Sequence, residues 1–143
     1  MPIEVVEARF ADREAGFAVR REVFVGEQGV PHHVEVDGFD DDCVHLLGRF
    51  DGKVFGTLRL RPLGEGRCKV ERVAVLAIGR GQGWGRALMD AAEAVAARNG
   101  WTDLELHAQL AVVPFYERLG WLGDGPVFFE GGIAHRHFAK RIG

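Results

Sequence analysis

The feature that most limits how this chain can fold is a cluster of glycines set between an apolar strand and an amphipathic helix. Cys68 to Ala77 reads as a largely buried strand carrying Val70, Val73, Val75 and Leu76. Ile78-Gly79-Arg80-Gly81-Gln82-Gly83-Trp84-Gly85 follows. The spacing then predicts a helix from about Gly83 to Arg98, with Trp84, Leu88, Ala91, Ala92 and Val95 on one face. Asn99-Gly100 supplies its stop. Thr102 to His107 is a short strand with Leu104 and Leu106 pointing one way. Strand, turn, helix and strand in that order make a crossover onto a neighbouring strand, the signature of a layered α/β sheet.

The flanking segments fit such a sheet. Ile3 to Phe10 alternates loosely as a first strand. Asp12 is placed to cap a helix with Phe17, Phe24 and Val25 at helical spacing, stopped by Gly29 and Pro31. Val34 to Asp42 is acidic and irregular. Val44 to Phe50 and Lys53 to Arg61 are strands joined by a hairpin turn at Asp51-Gly52, and Pro62, Gly64 and Gly66 make the next turn. A short helix carries Phe115, Tyr116 and Leu119 and ends at Gly120. Two last strands, around Val127 to Glu130 and Ala134 to Arg141, flank Gly131-Gly132. With no repeat and no long linker, residues 1–143 are expected to form one domain.

Composition narrows the function. A formal charge of −3 gives no basic footprint for nucleic acid, and no apolar run is long enough for a membrane span. The first residues lack the pattern of a signal peptide, and Cys43 and Cys68 match neither a disulfide framework nor a zinc site. Free buried thiols and a cytoplasmic location are expected. His135 and His137 share a strand face, but no third ligand accompanies them, so no metal is expected.

The glycine turn can bind an anion. A helix N-terminus exposes unpaired N–H groups and a partial positive charge, and glycines before it let backbone amides approach phosphate oxygens. Arg80 and Arg86 add charge at its mouth. Taken alone, a Gly-x-Gly turn reads better as a simple flexible connection. It is neither a Walker A loop, having no Gly-Lys followed by Ser or Thr, nor a dinucleotide fingerprint, whose last glycine would fall on Arg86 or Trp84.

Arg80, Gly83 and Gly85 do match R-x-x-G-x-G, and here the chain resembles the GNAT acetyltransferases. Glu71-Arg72-Val73-Ala74-Val75 looks like that family's fourth strand, whose main chain pairs with the pantetheine arm. Gln109, Val112 and Tyr116 fall where the family often has Asn, Ala and Tyr. Phe115 to Trp121 looks like its closing signature, and Arg21 to Pro31 resembles the ElaA-like branch. The resemblance implies a mixed, mostly antiparallel central sheet of about six to seven strands flanked by about four helices. It implies acetyl-CoA as cosubstrate, with Val73, Ala74, Val75, Arg80, Gly81, Gln82, Gly83, Trp84, Gly85, Arg86 and Gln109 as its contacts. Gln109, Val112 and Pro114 depart from the family pattern without removing its chemistry.

Acetyl transfer to an amine needs a proton acceptor, a holder for the oxyanion and a donor for the leaving thiolate. The resemblance makes Tyr116, the only tyrosine, the donor. Strand alternation would put Glu71 on the face of Val73 and Val75, where burial would raise its pKa and suit it to be the base. Its alternative role is a surface or salt-bridged glutamate. His107 and Glu27 are further base candidates, and Glu27, Gln28 and His107 are candidates for the acceptor side. Asp37, Asp40, Asp41 and Asp42 either attract a cationic acceptor or form a solvated face. The acceptor is expected to be a small-molecule or peptide amine. A homodimer through the C-terminal strands is an allowed state, and a non-catalytic acyl-CoA-binding sensor or interaction protein on the same fold is the alternative function.

Overall fold

The computed structural model describes residues 3–143. Seven strands form one sheet in the order β1-β2-β3-β4-β5-β7-β6. They are β1 (Glu4–Glu7), β2 (Val44–Phe50), β3 (Lys53–Gly64), β4 (Arg67–Val75), β5 (Asp103–Gln109), β6 (Leu122–Glu130) and β7 (Ile133–Arg141). The helices are α1 (Arg13–Arg20), α2 (His32–Glu35), α3 (Trp84–Arg98) and α4 (Val113–Arg118). Every neighbouring pair is antiparallel except β4 and β5, which the α3 crossover makes parallel. No described helix is long and apolar enough to cross a membrane.

Strand alternation sorts the core into two layers. Leu46, Leu58, Leu60, Val70, Leu104 and Leu106 pack with Leu88, Met89, Ala92 and Val95 of α3. The opposite face receives α1 and the helical turns that follow it, where Val19 and Val23 meet Ala74. Gly16 lets α1 sit close, because a Cβ there would lie 2.9 Å from both Leu47 Cδ2 and Thr57 Oγ1.

Several boundaries differ from the expected ones, for local reasons. β1 stops at Glu7, and Phe10–Asp12 forms a 3-10 turn. That turn delivers the chain to α1 already in helical conformation, so Asp12 makes no cap bond and its carboxylate accepts from Arg9 Nε instead. Pro62 and Gly64 lie within β3; the hairpin turn is Glu65-Gly66, both with positive φ, as in the Asp51-Gly52 turn. β4 ends at Val75, and Ala77–Gly79 is a 3-10 turn. β6 begins at Leu122, ahead of the expected Val127. The acidic stretch is ordered rather than irregular, with α2 followed by a 3-10 turn at Asp40–Asp42. Beyond Arg20 the first helix widens into a π-helix, Arg21–Glu27, which carries Glu27 to its end and Gln28 just past it.

Candidate active site

The parallel pair is short. Only Arg67–Lys69 pairs with Asp103–Glu105, and beyond those residues β4 and β5 have no shared ladder. Two things part them. Arg72 adopts φ +56, and the β3–β4 register slips between Thr57 and Arg59, so β4 carries a bulge. The main chain of β4 past Lys69 therefore turns an unpaired edge toward β5.

A cavity of about 470 Å³ opens in this gap. β4 contributes Glu71 and Val73, β5 contributes His107 and Gln109, and Tyr116 comes from α4. Gln28, Val34, Glu35 and Asp37 form the wall opposite, and Glu130 and His135 close the side nearest β6 and β7. Six of the sequence candidates thus converge on one space: Glu71, Val73, Gln109, Tyr116, Gln28 and His107.

The bulge overturns the alternation argument for Glu71. Glu71 pairs with Arg59 and Ala74 with Thr57, so Glu71 and Ala74 share a face, whereas Val75 opposite Gly56 lies on the other. Glu71 is also ringed by cations: Arg59 at 3.0 Å, Arg61 at 3.0 Å and Lys69 at 3.3 Å. Both oxygens are thereby engaged in ion pairs, the salt-bridged arrangement that the sequence left open beside a free base.

Arg59 belongs to a larger buried network that sequence reading did not find. It is fully buried and also donates to Asp37 at 2.6 Å and Asp40 at 3.0 Å. Arg20, equally buried, donates to both oxygens of Glu35 at 2.8 and 2.7 Å and to Asp40 at 2.7 Å. Burial opposes ionisation of Asp37, but the Arg59 hydrogen bond, the Phe39 amide and the charges of Arg59 and Arg72 hold its carboxyl well below the usual range. Burial likewise opposes Asp40, and Arg20 and Arg59 outweigh it. Asp37 and Asp40 are therefore structural counter-ions of buried arginines, whereas the exposed Asp41 and Asp42 touch neither Arg20 nor Arg59.

The remaining candidates have distinct surroundings. The Tyr116 ring is buried edge-on to Phe115 and Trp121, and burial pushes its phenol well above the ordinary value. Gln28 and Gln109 exchange amide hydrogen bonds at 3.2 and 2.9 Å across the cavity mouth. His107 Nδ1 lies 2.6 Å from Glu130 Oε1. Glu130 was not a sequence candidate; finding it requires knowing that β7 separates β6 from β5. His135 Nδ1 bonds Ile133 O, while His137 faces Glu105, so the two histidines are engaged separately.

The glycine turn sits outside this cavity, at the start of α3. Gly81 and Gly83 have φ +77 and +80, and a Cβ on either would meet nothing within 4 Å, so their backbone is open to a ligand. Trp84 points the other way: its ring is buried against Phe50 and Phe55, leaving only its amide for a cofactor. Arg80 donates to Val75 O at 3.0 Å and to Glu27 at 2.8 Å, which places Glu27 at the turn rather than in the cavity. Gln82 donates to Ile78 O, and Arg86 is exposed beside Asp90. The Ala74 side chain is buried under α1, and Val75 packs against the α3 layer, so these two offer a cofactor their main chain only.

The profile of the acetyltransferase (GNAT) domain family matches residues 13–142. The chain belongs to the GNAT acetyltransferases. A candidate acetyltransferase of Bacillus subtilis (strain 168) is 36% identical over 133 residues, covering 91% of this chain and 90% of its own. The GNAT architecture recurs in the crystal structure of a candidate N-acetyltransferase from Lactobacillus plantarum, at TM-score 0.89 and 32% identity, covering 99% of each chain. Escherichia coli ElaA, at 24% identity, shares the fold with TM-score 0.85 over 98% of this chain and 100% of its own. A more distant neighbour of the same fold, PaiA N-acetyltransferase from Thermoplasma acidophilum, was crystallised in complex with coenzyme A; it has TM-score 0.79 and 16% identity over 99% of this chain and 100% of its own.

Proposed function

We propose that this GNAT protein transfers an acetyl group from acetyl-CoA to a primary amine by direct attack, with Tyr116 as the proton donor. The observation that carries the reading is the parting of β4 and β5 beside the glycine turn, with the Tyr116 phenol in the wall of the resulting cavity. The coenzyme A complex of the distant neighbour supports the choice of cosubstrate.

The turn fits a diphosphate. Gly81 and Gly83 present main chain without side chains, and the first amides of the 15-residue helix α3 have no partner within the helix. Arg80 adds a guanidinium once it exchanges Glu27 for an anion. The unpaired edge of β4 around Val73 suits an amide-bearing arm, and Gln109 offers its side-chain amide nearby. Bound acetyl-CoA supplies an activated thioester carbonyl. A β4 amide donates to the carbonyl oxygen as it gains charge. Tyr116 stays protonated through the physiological range because burial disfavours its phenolate. It therefore still carries its proton when the thiolate departs.

Mixing the protein with acetyl-CoA and a panel of amines tests the reading through release of free thiol. Transfer to at least one amine is expected, with a matching gain of one acetyl group by mass spectrometry. Tight coenzyme A binding with no thiol release from any amine would move the assignment to the non-catalytic sensor.

A further inference from the structure

We infer that His107 is the group that takes the proton from the acceptor's ammonium, with Glu130 as its positioning residue; this rests on the acetyl-transfer reading of the same cavity. With Glu71 consumed by Arg59, Arg61 and Lys69, the cavity needs another acceptor. His107 is half-buried at the end of β5 and lines the cavity with Tyr116. Its Nδ1 lies 2.6 Å from Glu130 Oε1; in the neutral ring Nδ1–H donates to that carboxylate, which puts the lone pair on Nε2. Among the described residues the ring's hydrogen bond is the one at Nδ1. The ring is held edge-on by Phe128, 4.8 Å between centroids, so it is oriented from two sides.

The step balances without another reactant. An N–H bond of the ammonium breaks, its electron pair stays on nitrogen as the attacking pair, and a new N–H bond forms at Nε2. The imidazolium charge is neutralised against the Glu130 carboxylate. That carboxylate is held ionised mainly by the same hydrogen bond, and in addition by the charges of His107, Lys69 and His135. The proton then leaves to water through the open side of the cavity. The other groups around the ring are His137 of β7, 5.9 Å away, and Glu105, which His137 already engages.

The pH dependence of acetyl transfer in wild type, His107→Gln and Glu130→Gln tests this, with coenzyme A titration calorimetry and melting temperature measured alongside. His107→Gln is expected to lower kcat about 100-fold at neutral pH, within the range general bases contribute. Its rate should keep rising with pH toward the ionisation of a free amine, near about 10, where it approaches wild type. Glu130→Gln should lower kcat about tenfold with KM little changed. Coenzyme A heats and melting temperatures should stay at wild-type values in both. A His107→Gln profile that superimposes on wild type overturns the inference while leaving acetyl transfer intact. So does a loss of activity that follows lost coenzyme A binding or early melting. A wild-type protein silent toward every amine overturns the acetyl-transfer reading, and this inference with it.

Discussion

Gly79→Ala tests whether the glycine turn is built on the packing of Trp84. Gly79 is buried and its φ is not positive, so alanine meets no backbone strain there; the effect must come from packing. An added Cβ would lie 2.0 Å from Trp84 Cε3 and 2.2 Å from Cζ3. Ordinary contact begins near 3.4 Å, so ring and turn must separate by about 1.4 Å. The ring has little room to yield, being stacked on Phe50 at 5.5 Å and tilted against Phe55 at 3.9 Å. Overpacking of this kind costs about 1–3 kcal/mol, which at this chain length lowers the melting temperature by roughly 3–12 °C. Trp84 is also the first residue of α3, so the displacement moves the amides expected to hold the diphosphate. Thermal melting and coenzyme A calorimetry read the two effects, and affinity should fall about tenfold or more, a loss of about 1.4 kcal/mol. Gly81→Ala is the control for packing alone: its Cβ meets no protein atom, so its effect on melting is the left-handed backbone cost of about 1–2 kcal/mol, and the tryptophan fluorescence stays unchanged. A Gly79→Ala protein with wild-type melting and affinity within twofold would refute the packing argument.

Tyr116→Phe should lower kcat about 100-fold while coenzyme A affinity, read by calorimetry, stays within threefold. Glu27→Gln frees Arg80 and removes a negative charge beside the turn; because both side chains are partly exposed, coenzyme A affinity should rise only about two- to fivefold at low salt. Asp37 and Asp40 have folded pKa values below their unfolded ones, so their stabilisation is present above about pH 4 and is lost as pH falls further. Melting followed from pH 7 to pH 3 should show that decline, and Arg59→Met, which takes a buried guanidinium from the partly exposed Asp37, Asp40 and Glu71, should cost about 2–3 kcal/mol at pH 7. Burial pushes the Cys43 thiol up to about 11 and the Cys68 thiol up to about 12, so neither should react with Ellman's reagent until the chain unfolds.

What could be read in advance was whatever depends on neighbours in sequence. β2, its Asp51-Gly52 turn and the start and end of α3 follow from alternation, turn chemistry and capping residues, and all stand where expected. The R-x-x-G-x-G turn was legible for the same reason. The face of Glu71 was not, because a parity argument assumes an unbroken ladder and the bulge inserts one residue. The acidic stretch misled in a different way. Its charge suggests solvent, yet Asp37 and Asp40 are answered by Arg59 and Arg20 from 19 to 22 residues away, and no local pattern announces those partners. His107 and Glu130 meet only because β7 folds back between their strands, a pairing set by topology.

The bulge and the buried charges are two parts of one construction. A non-glycine residue at φ +56 is uncommon and costs free energy unless the surroundings hold it. Arg72 is held by its own side chain, which donates to the carbonyl of Glu35 at 3.1 Å and to the Asp37 carboxylate at 3.2 Å. Those same residues are anchored from the other side by Arg20 and Arg59. The segment from Val34 to Asp37 is thereby fastened over the gap as a cavity wall, while the bulge it stabilises ends the β4–β5 ladder and opens that gap. The buried ions need not raise net stability to be kept, since pairs of this kind often do no more than break even. Their contribution is geometric, fixing where β4 stops being a sheet strand and starts being the edge of a binding site.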